Sequence, residues 1–410
     1  MTEIAAKPAR WYYDPTVIIA AGCLVAVVSF GARATMGLFT YPISEAHQWH
    51  RETYGFAMAI QNLGWGIFQP IAGGFADKYG TPRVLVVGAG IYAVGIALMP
   101  FSDTPGLMYL TGGLIAGIGI ATASFTLVMA AFGRLVPPEK RSWAFGIATA
   151  AGSLGQFIFA PLGQAFIAAF GWETALILIG GLVLLIIPLA IPLGAKGAVP
   201  DASPTPAQAT MTLREAVAKA FGHSSYVLLT AGFFVCGFQI AFVTIHLPAY
   251  LIEHGISTWL AASSIAIVGI FNVIGSYSAG IIGGRYSKAY SLSAIYLLRS
   301  LVVVLFISFP ISPATTILFT ASLGLLWLST VPFTMGLVAV MFGTRYVATL
   351  YGFVFLSHQL GSFFGVWLGG RFHDIYGSYD PVWWMSIALG IFAAAVNWPI
   401  REQRAPAFAS

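Results

Sequence analysis

The chain has 410 residues, of which 58% are hydrophobic and only 8% charged, with a formal net charge of +5. A soluble globular chain carries about 25% charged residues, so this composition excludes a water-soluble fold and points to the lipid bilayer. The basic excess would suit a nucleic-acid partner, but most of it sits between apolar segments on one side of a membrane, where it orients the chain and needs no acidic partner.

In chain order, residues 1–15 (MTEIAAKPARWYYDP) lack the apolar core and small-residue cleavage site of a signal peptide and read as a cytosolic tail. A membrane-crossing helix needs about 20 mainly apolar residues. Six such segments follow, at 16–40, 53–76, 83–101, 106–133, 142–170 and 172–194, and make a first bundle over 16–194. The longest polar interruption comes next, a cytosolic linker over 195–224. Its first part is rich in Pro, Ala and Ser and suits a connector. Thr212-Leu-Arg-Glu215 has the spacing of a capping box and predicts the start of a short helix. Six further segments, at 225–252, 258–284, 291–310, 313–341, 347–372 and 381–400, make a second bundle over 225–400, and 401–410 is a cytosolic tail. Strand alternation is absent, which argues against a β-barrel. The expected fold is an all-α membrane protein of twelve transmembrane helices in two six-helix bundles.

Fifteen of the nineteen Lys and Arg residues fall on the side of the amino terminus. Arg51 and Arg371 fall on the other side, and Arg33 and Arg299 lie within spans. This asymmetry places both termini in the cytoplasm; the expected location is a bacterial-type inner membrane. Cys23 and Cys236 lie within predicted helices, suit neither a disulfide framework nor a zinc site, and read as small buried apolar groups. There is no Walker loop and no metal-spaced cluster of His, Cys and Asp. The polar segments are too short for an enzymatic domain. Neither an enzyme nor a bound cofactor is expected.

The two halves repeat one design. Gly31, Arg33 and Pro42 correspond to Gly237, Gln239 and Pro248. Asn62, Gly73, Gly74 and Lys78 correspond to Asn272, Gly283, Gly284 and Lys288. The run Gly146, Gly155, Gly163 and Gly171 recurs with the same spacings as Gly352, Gly361, Gly369 and Gly377. Internal duplication with six helices per half is a transporter signature and places the substrate site between the halves, near the midplane. Close helix packing is enough to explain most of the glycines.

Between the second and third segments the chain reads GGFADKYGTPR, Gly73–Arg83. This stretch resembles the loop motif of the major facilitator superfamily, which Gly73, Asp77, Lys78, Gly80 and Arg83 match. The resemblance implies the major facilitator fold. It also implies a gating role for this loop, in which Asp77 engages a helix end and neighbouring charges and favours the outward-open state. The loop at the equivalent place in the second half, GGRYSK (283–288), keeps Lys288 but lacks the acid.

Within that superfamily the chain is similar, over nearly its whole length, to the monocarboxylate transporters and their bacterial relatives, including oxalate/formate exchangers. GARATMGLF (31–39) aligns with a family stretch that holds a lysine where Arg33 stands, a cation implicated in carrying the carboxylate. The family also carries an aspartate and, four residues later, an arginine on helix eight. Asn272 and Ser276 stand there in FNVIGSYSAG (271–280). That departure removes the second anion-binding cation and the proton-linked acid together. Anion exchange and facilitated diffusion therefore stand beside proton coupling.

Lipid penalises a guanidinium at a helix centre by roughly 2.5 kcal/mol or more. Three placements are open to Arg33: facing a cavity, hydrogen-bonding between helices, or snorkelling past residues 34–40. Its counterpart Gln239 is also polar in an apolar run, which favours the cavity. Arginine offers a rigid fork of donors matched to a carboxylate. Asn62 and Asn272 form a second symmetric pair, suited either to substrate or to helix packing. His358 and Gln359 lie mid-span in FLSHQLGSFFG (355–365). With no Asp or Glu deep in any span, His358 is the main candidate for proton coupling. Arg299 follows a cytosolic loop closely and reads as snorkelling or pairing at the inner face. Gln156, Pro161 and Gln164, with Thr122, Ser124 and Thr126, are weaker candidates for a polar cavity wall. Trp65, Phe125, Trp327, Phe355 and Trp367 could flank a substrate, although packing is the default role for each.

The expectation is a secondary transporter that moves a small organic anion, a carboxylate, by alternating access. Arg33 would neutralise the anion, Gln239, Asn62 and Asn272 would orient it, and His358 and Gln359 would complete the site. A coupling proton or a counter-anion would accompany it, and twelve helices suffice for a monomeric unit. One alternative is an exporter of neutral or amphipathic compounds by proton antiport, which GQFIFAPLG (155–163) loosely resembles. The other is a membrane sensor that binds a solute without moving it.

Overall fold

The structure is a computed structural model that describes residues 14–49, 51–194 and 211–409. The first thirteen residues of the tail and residues 195–210 of the linker lie outside the described residues, and with them Lys7, Arg10 and Lys196.

Among the described residues twelve long helical stretches follow one another. Asp14 caps the first by accepting from the Thr16 backbone N–H at 2.7 Å, with Pro15 at the first helical position. This helix, α1 (Pro15–Ala46), tightens through a 3₁₀ turn at Met36–Phe39. It is followed by α2 (Arg51–Tyr79), α3 (Thr81–Phe101) and α4 (Pro105–Leu135). A 57-residue stretch, Pro138–Gly194, then holds two helices, α5 (138–170) and α6 (172–194). They are divided at Gly171, whose φ of 80° breaks the helical path at no steric cost. A short helix, Leu213–Phe221, starts at Thr212, and the Thr212 and Glu215 side chains each bond the other's backbone N–H. The second half comprises α7 (Ser224–Glu253), α8 (Thr258–Ile282), α9 (Lys288–Ser308), α10 (Pro313–Phe342), α11 (Val347–Tyr376) and α12 (Asp380–Asn397).

Nine stretches among the described residues are long and apolar enough to cross a membrane. The Pro138–Gly194 stretch supplies two of the twelve helices, and α2 and α12 complete the set. Each span expected from apolar length coincides with one of them.

The repeated glycines do the same work in both halves. Gly155 of α5 lies against the Val27 carbonyl of α1, and Gly361 of α11 lies against the Phe234 carbonyl of α7. Gly171 and Gly377, with φ of 80° and 68°, end the two equivalent helices. Gly146 of α5 meets Gly280 of α8 so closely that a Cβ on it would lie 2.5 Å from the Gly280 Cα. Gly352 of α11 meets Pro70 of α2 in the same manner, at 2.6 Å. The halves thus join through α2 with α11 and α5 with α8.

Those junctions lie on one side of the molecule, the basic face, which carries the Gly73–Arg83 loop and the residues that follow α12. There Gly73 abuts the Ala348 carbonyl, and Gly283 abuts Ser142. Farther along the same helices each half packs on itself. Gly365 and Gly369 of α11 rest on Phe238 and His246 of α7, while Phe56 of α2 meets Tyr109 of α4 with ring centres 5.2 Å apart.

Two helices are broken at equivalent depth. In α4, Ala123 and Ser124 separate Ala116–Thr122 from Phe125–Leu135. In α10, residues 327–329 separate Pro313–Leu326 from Thr330–Phe342. Pro332 lacks a backbone N–H and its ring clashes with the carbonyl four residues back, which accounts for the break in α10.

Candidate functional site

Arg33, on α1, is half-buried in the middle of the bundle. Its Nη2 donates to Asn62 Oδ1 of α2 at 2.6 Å, and its guanidinium lies 4.9 Å from the Trp65 ring centre. It has no carboxylate partner among the described residues. A neutral amide and a ring face solvate the ion without cancelling its charge. Asn62 also donates to the Met58 carbonyl at 3.0 Å, which fixes its amide so that the oxygen faces Arg33.

The contact continues into the second half. Gln359 of α11 donates through Nε2 to the Asn62 backbone carbonyl at 3.1 Å, and its Oε1 lies 3.2 Å from His358 Nδ1. Such proximity requires Gly66, where a Cβ would fall 2.7 Å from the Gln359 Cβ. Beside this polar line runs an aromatic one. Trp65 meets Phe355 at 4.7 Å, and the Phe355 and His358 rings lie parallel within 7°. Arg33, Asn62, Gln359 and His358 are therefore one connected group across the junction of the halves.

The other two expected site residues are not hydrogen-bonded directly to it, and Gln239 reaches it through Arg299 and Cys236, which contacts His358. Gln239 of α7 donates to the Ser386 carbonyl of α12 at 3.0 Å and accepts from Arg299 at 3.4 Å. Asn272 of α8 is 1% exposed and uses both ends of its amide. Its Nδ2 donates to Ser153 Oγ of α5 at 2.6 Å, and its Oδ1 accepts from the Leu328 N–H at 2.9 Å and the Ser276 hydroxyl at 3.1 Å. It ties the break in α10 to the opposite half.

Arg299 differs from its expected place. It is 1% exposed and sits midway along α9, so it neither snorkels nor pairs at the inner face. Its Nε and Nη2 donate to the Leu326 carbonyl at 3.1 and 2.6 Å, and Nη2 donates also to the Trp327 carbonyl. These carbonyls end the first segment of α10, the negative pole of a helix dipole. Nη1 faces the sulfur of Cys236 at 3.6 Å, and that sulfur also meets Thr330 Oγ1 at 3.2 Å. Cys236 is therefore a polar contact as well as a packed side chain.

The weaker candidates are mostly self-satisfied. Thr122 bonds the Ile118 carbonyl at 2.7 Å, and Ser124 and Thr126 bond each other at 2.6 Å. Phe125 packs on Phe30 at 4.6 Å, and Trp367 is 52% exposed beside Phe363. Trp65 and Phe355 border the Arg33 group, whereas Trp327 borders Arg299.

On the basic face the stretch expected as a loop, Gly73–Arg83, is instead the end of α2, a turn at Gly80 and the start of α3, and it forms a junction of its own. The enclosed Asp77 carboxylate accepts from Arg134 at 2.9 Å within its own half. Across the junction it accepts from the Thr349 N–H at 2.9 Å, the Thr349 hydroxyl at 2.7 Å and the Ala348 N–H at 3.3 Å. The last donors belong to the first turn of α11, a natural anion seat. Gly80 turns the chain with φ of 90°, Lys78 lies over Tyr79 at 5.0 Å, and Arg83 is exposed. In the second half, the acid missing from GGRYSK is supplied from beyond α12. Glu402 accepts from Ser287, which stands where Asp77 stands in the first half, and from the Ala289 N–H at 2.8 Å. It also pairs with Lys288 at 3.7 Å.

Residues 21–366 match the family described as the Major Facilitator Superfamily. Monocarboxylate transporter 13 of Bos taurus is 24% identical over 326 residues, covering 78% of this chain and 73% of that protein. The uncharacterized MFS-type transporter YcxA of Bacillus subtilis is 23% identical over 363 residues, 85% of each chain. Among solved structures, the fucose:proton symporter FucP of E. coli superposes with a TM-score of 0.72 at 17% identity over 95% of this chain and 98% of that one. The proton:xylose symporter XylE superposes with a TM-score of 0.70 at 14% identity over 94% and 96% of the two chains.

Proposed function

The chain belongs to the major facilitator superfamily, and on that footing we propose that it moves a small organic anion, a carboxylate, across the bacterial cytoplasmic membrane. The observation that carries this reading is Arg33, a half-buried cation held by the Asn62 amide and the Trp65 ring with no carboxylate partner among the described residues. A carboxylate entering beside it would replace water with a charge-assisted, two-pronged pairing.

The remaining roles follow from position. Asn62 holds the guanidinium in place, and its backbone carbonyl passes the connection to Gln359 and so to His358. Neutralising Arg33 would alter this group at the point where the halves meet. The halves are joined on the basic face by Asp77, which supports an outward-facing form if that face is cytoplasmic. Asn272 serves as a midplane tie in this form, because its polar atoms are occupied. Gln239 acts through Arg299 in the same form. His358 is the candidate for coupling a proton, and a counter-anion is the alternative partner. Monocarboxylate transporters among the relatives favour a carboxylate substrate.

The test is uptake of radiolabelled mono- and dicarboxylates by proteoliposomes that contain wild type or Arg33→Gln. The reading requires saturable uptake by wild type and its loss in the variant. Equal uptake by both would show that Arg33 does not anchor the substrate.

A further inference from the structure

Along the outside of the second half, α9 and α12 carry two apolar stripes. On α9, Tyr290, Leu297 and Leu301 recur at spacings of seven and four residues, and on α12, Trp384, Ile391 and Trp398 recur at sevens. Each of these side chains is more than half exposed. The spacings keep each set on one face of its helix. The two helices run in opposite directions and touch where Gly390 of α12 fits against Ser300 and the Tyr296 carbonyl of α9. Ser300 donates to the Ile387 carbonyl at 3.1 Å beside that contact. At the basic face the stripes meet, with the Tyr290 and Trp398 ring centres 4.8 Å apart. A Tyr–Trp pair at the end of an apolar surface suits the headgroup level of a bilayer.

Positive charge gathers at the same corner. Arg285, Arg401 and Arg404 are exposed, and none has an ion pair among the described residues. The Glu402 contacts with Ser287, Lys288 and Ala289 draw the segment after α12 onto the turn before α9. They bring Arg401 and Arg404 to the corner that holds Arg285. Across 281–299 and 391–409, Glu402 is the only acid, and it is engaged with Lys288. Water satisfies the guanidiniums but not the stripes, and lipid tails satisfy the stripes but leave the charge uncompensated. A molecule with a phosphate at one end and acyl chains at the other satisfies both. Guanidinium pairs with phosphate through two parallel N–H bonds.

We propose that this corner binds an anionic phospholipid of the leaflet on the basic face. Its phosphate pairs with Arg285 and Arg401, its glycerol lies beside Tyr290 and Trp398, and its acyl chains follow the stripes of α9 and α12. The site lies outside the Arg33 group and does not rest on the substrate reading.

The test is native mass spectrometry of the full-length protein released from micelles with equal amounts of dioleoyl phosphatidylglycerol and dioleoyl phosphatidylcholine. Wild type should retain phosphatidylglycerol in preference to phosphatidylcholine. The double variant Arg285→Gln/Arg401→Gln should lower that ratio about fivefold for each arginine, the effect of one cation beside an anionic headgroup. Arg214→Gln/Lys219→Gln removes the same charge elsewhere on the basic face and should leave the ratio unchanged. Tyr290→Ala/Trp398→Ala should reduce retained phosphatidylglycerol with no change of charge. An equal fall in both charge variants would mean diffuse attraction to the whole face, and displacement of the lipid by excess inorganic phosphate would mean a free-phosphate site. Either result, or no preference in wild type, would overturn the proposal.

Discussion

Asp77 of α2 takes two hydrogen bonds from one residue of the opposite half, Thr349 of α11, through its backbone N–H at 2.9 Å and its hydroxyl at 2.7 Å. Because Thr349 lies in the first turn of α11, the two halves can separate on this face only if the carboxylate leaves a helix amino terminus. Hydrogen bonds to a charged group contribute about 1.5–3 kcal/mol each. Asp77→Asn should therefore weaken the junction by several-fold or more in population. Hydrogen exchange at Ala348 and Thr349 would report it as faster exchange in the variant, and unchanged protection would contradict the role.

Asn272 connects Ser153 of α5 to the Leu328 N–H inside the break of α10. Asn272→Ala would strand the Leu328 N–H in a buried setting, at a cost of about 1–3 kcal/mol, whereas the Ser153 hydroxyl keeps the Thr149 carbonyl at 3.2 Å. Thermal unfolding should show a clearly lowered midpoint, and Ser153→Ala a smaller drop. Wild-type stability in Asn272→Ala would remove the residue from the interhelical network.

Glu402 anchors the segment after α12 to the start of α9. Glu402→Gln loses the charge paired with Lys288 and weakens the bonds from Ser287 and Ala289. The groups are partly exposed, so the expected loss is modest, about 1 kcal/mol. It would be read as faster proteolysis within residues 401–409, and an unchanged cleavage rate would contradict the anchor.

Much of this arrangement is legible in the residues alone. Apolar length locates the spans, and the recurring glycines mark the contacts that make the halves alike, because a backbone-to-backbone approach tolerates no Cβ. Arg33 and Asn62 stand out as polar groups in apolar runs, and the structure places them together. Sequence distance from a loop misleads for Arg299. It lies at mid-helix, where the broken end of α10 supplies carbonyls that no linear pattern announces. The break in α4 has no proline to signal it. Gln239 matches Arg33 by position, but its contact is set by Arg299, a residue absent from the first half. Glu402 is invisible as a partner of Lys288, because the chain returns to that loop only after four more helices.

The most direct test of an anion anchored at Arg33 is thermal stabilisation of the purified protein by a panel of mono- and dicarboxylates, aromatic acids and neutral amphiphiles, with wild type and Arg33→Gln in parallel. At 100 times its dissociation constant a ligand stabilises the bound state by about 2.7 kcal/mol. The account predicts a raised unfolding midpoint with at least one carboxylate in wild type and none in the variant. Equal stabilisation of both proteins by carboxylates, or stabilisation by neutral amphiphiles alone, would contradict it.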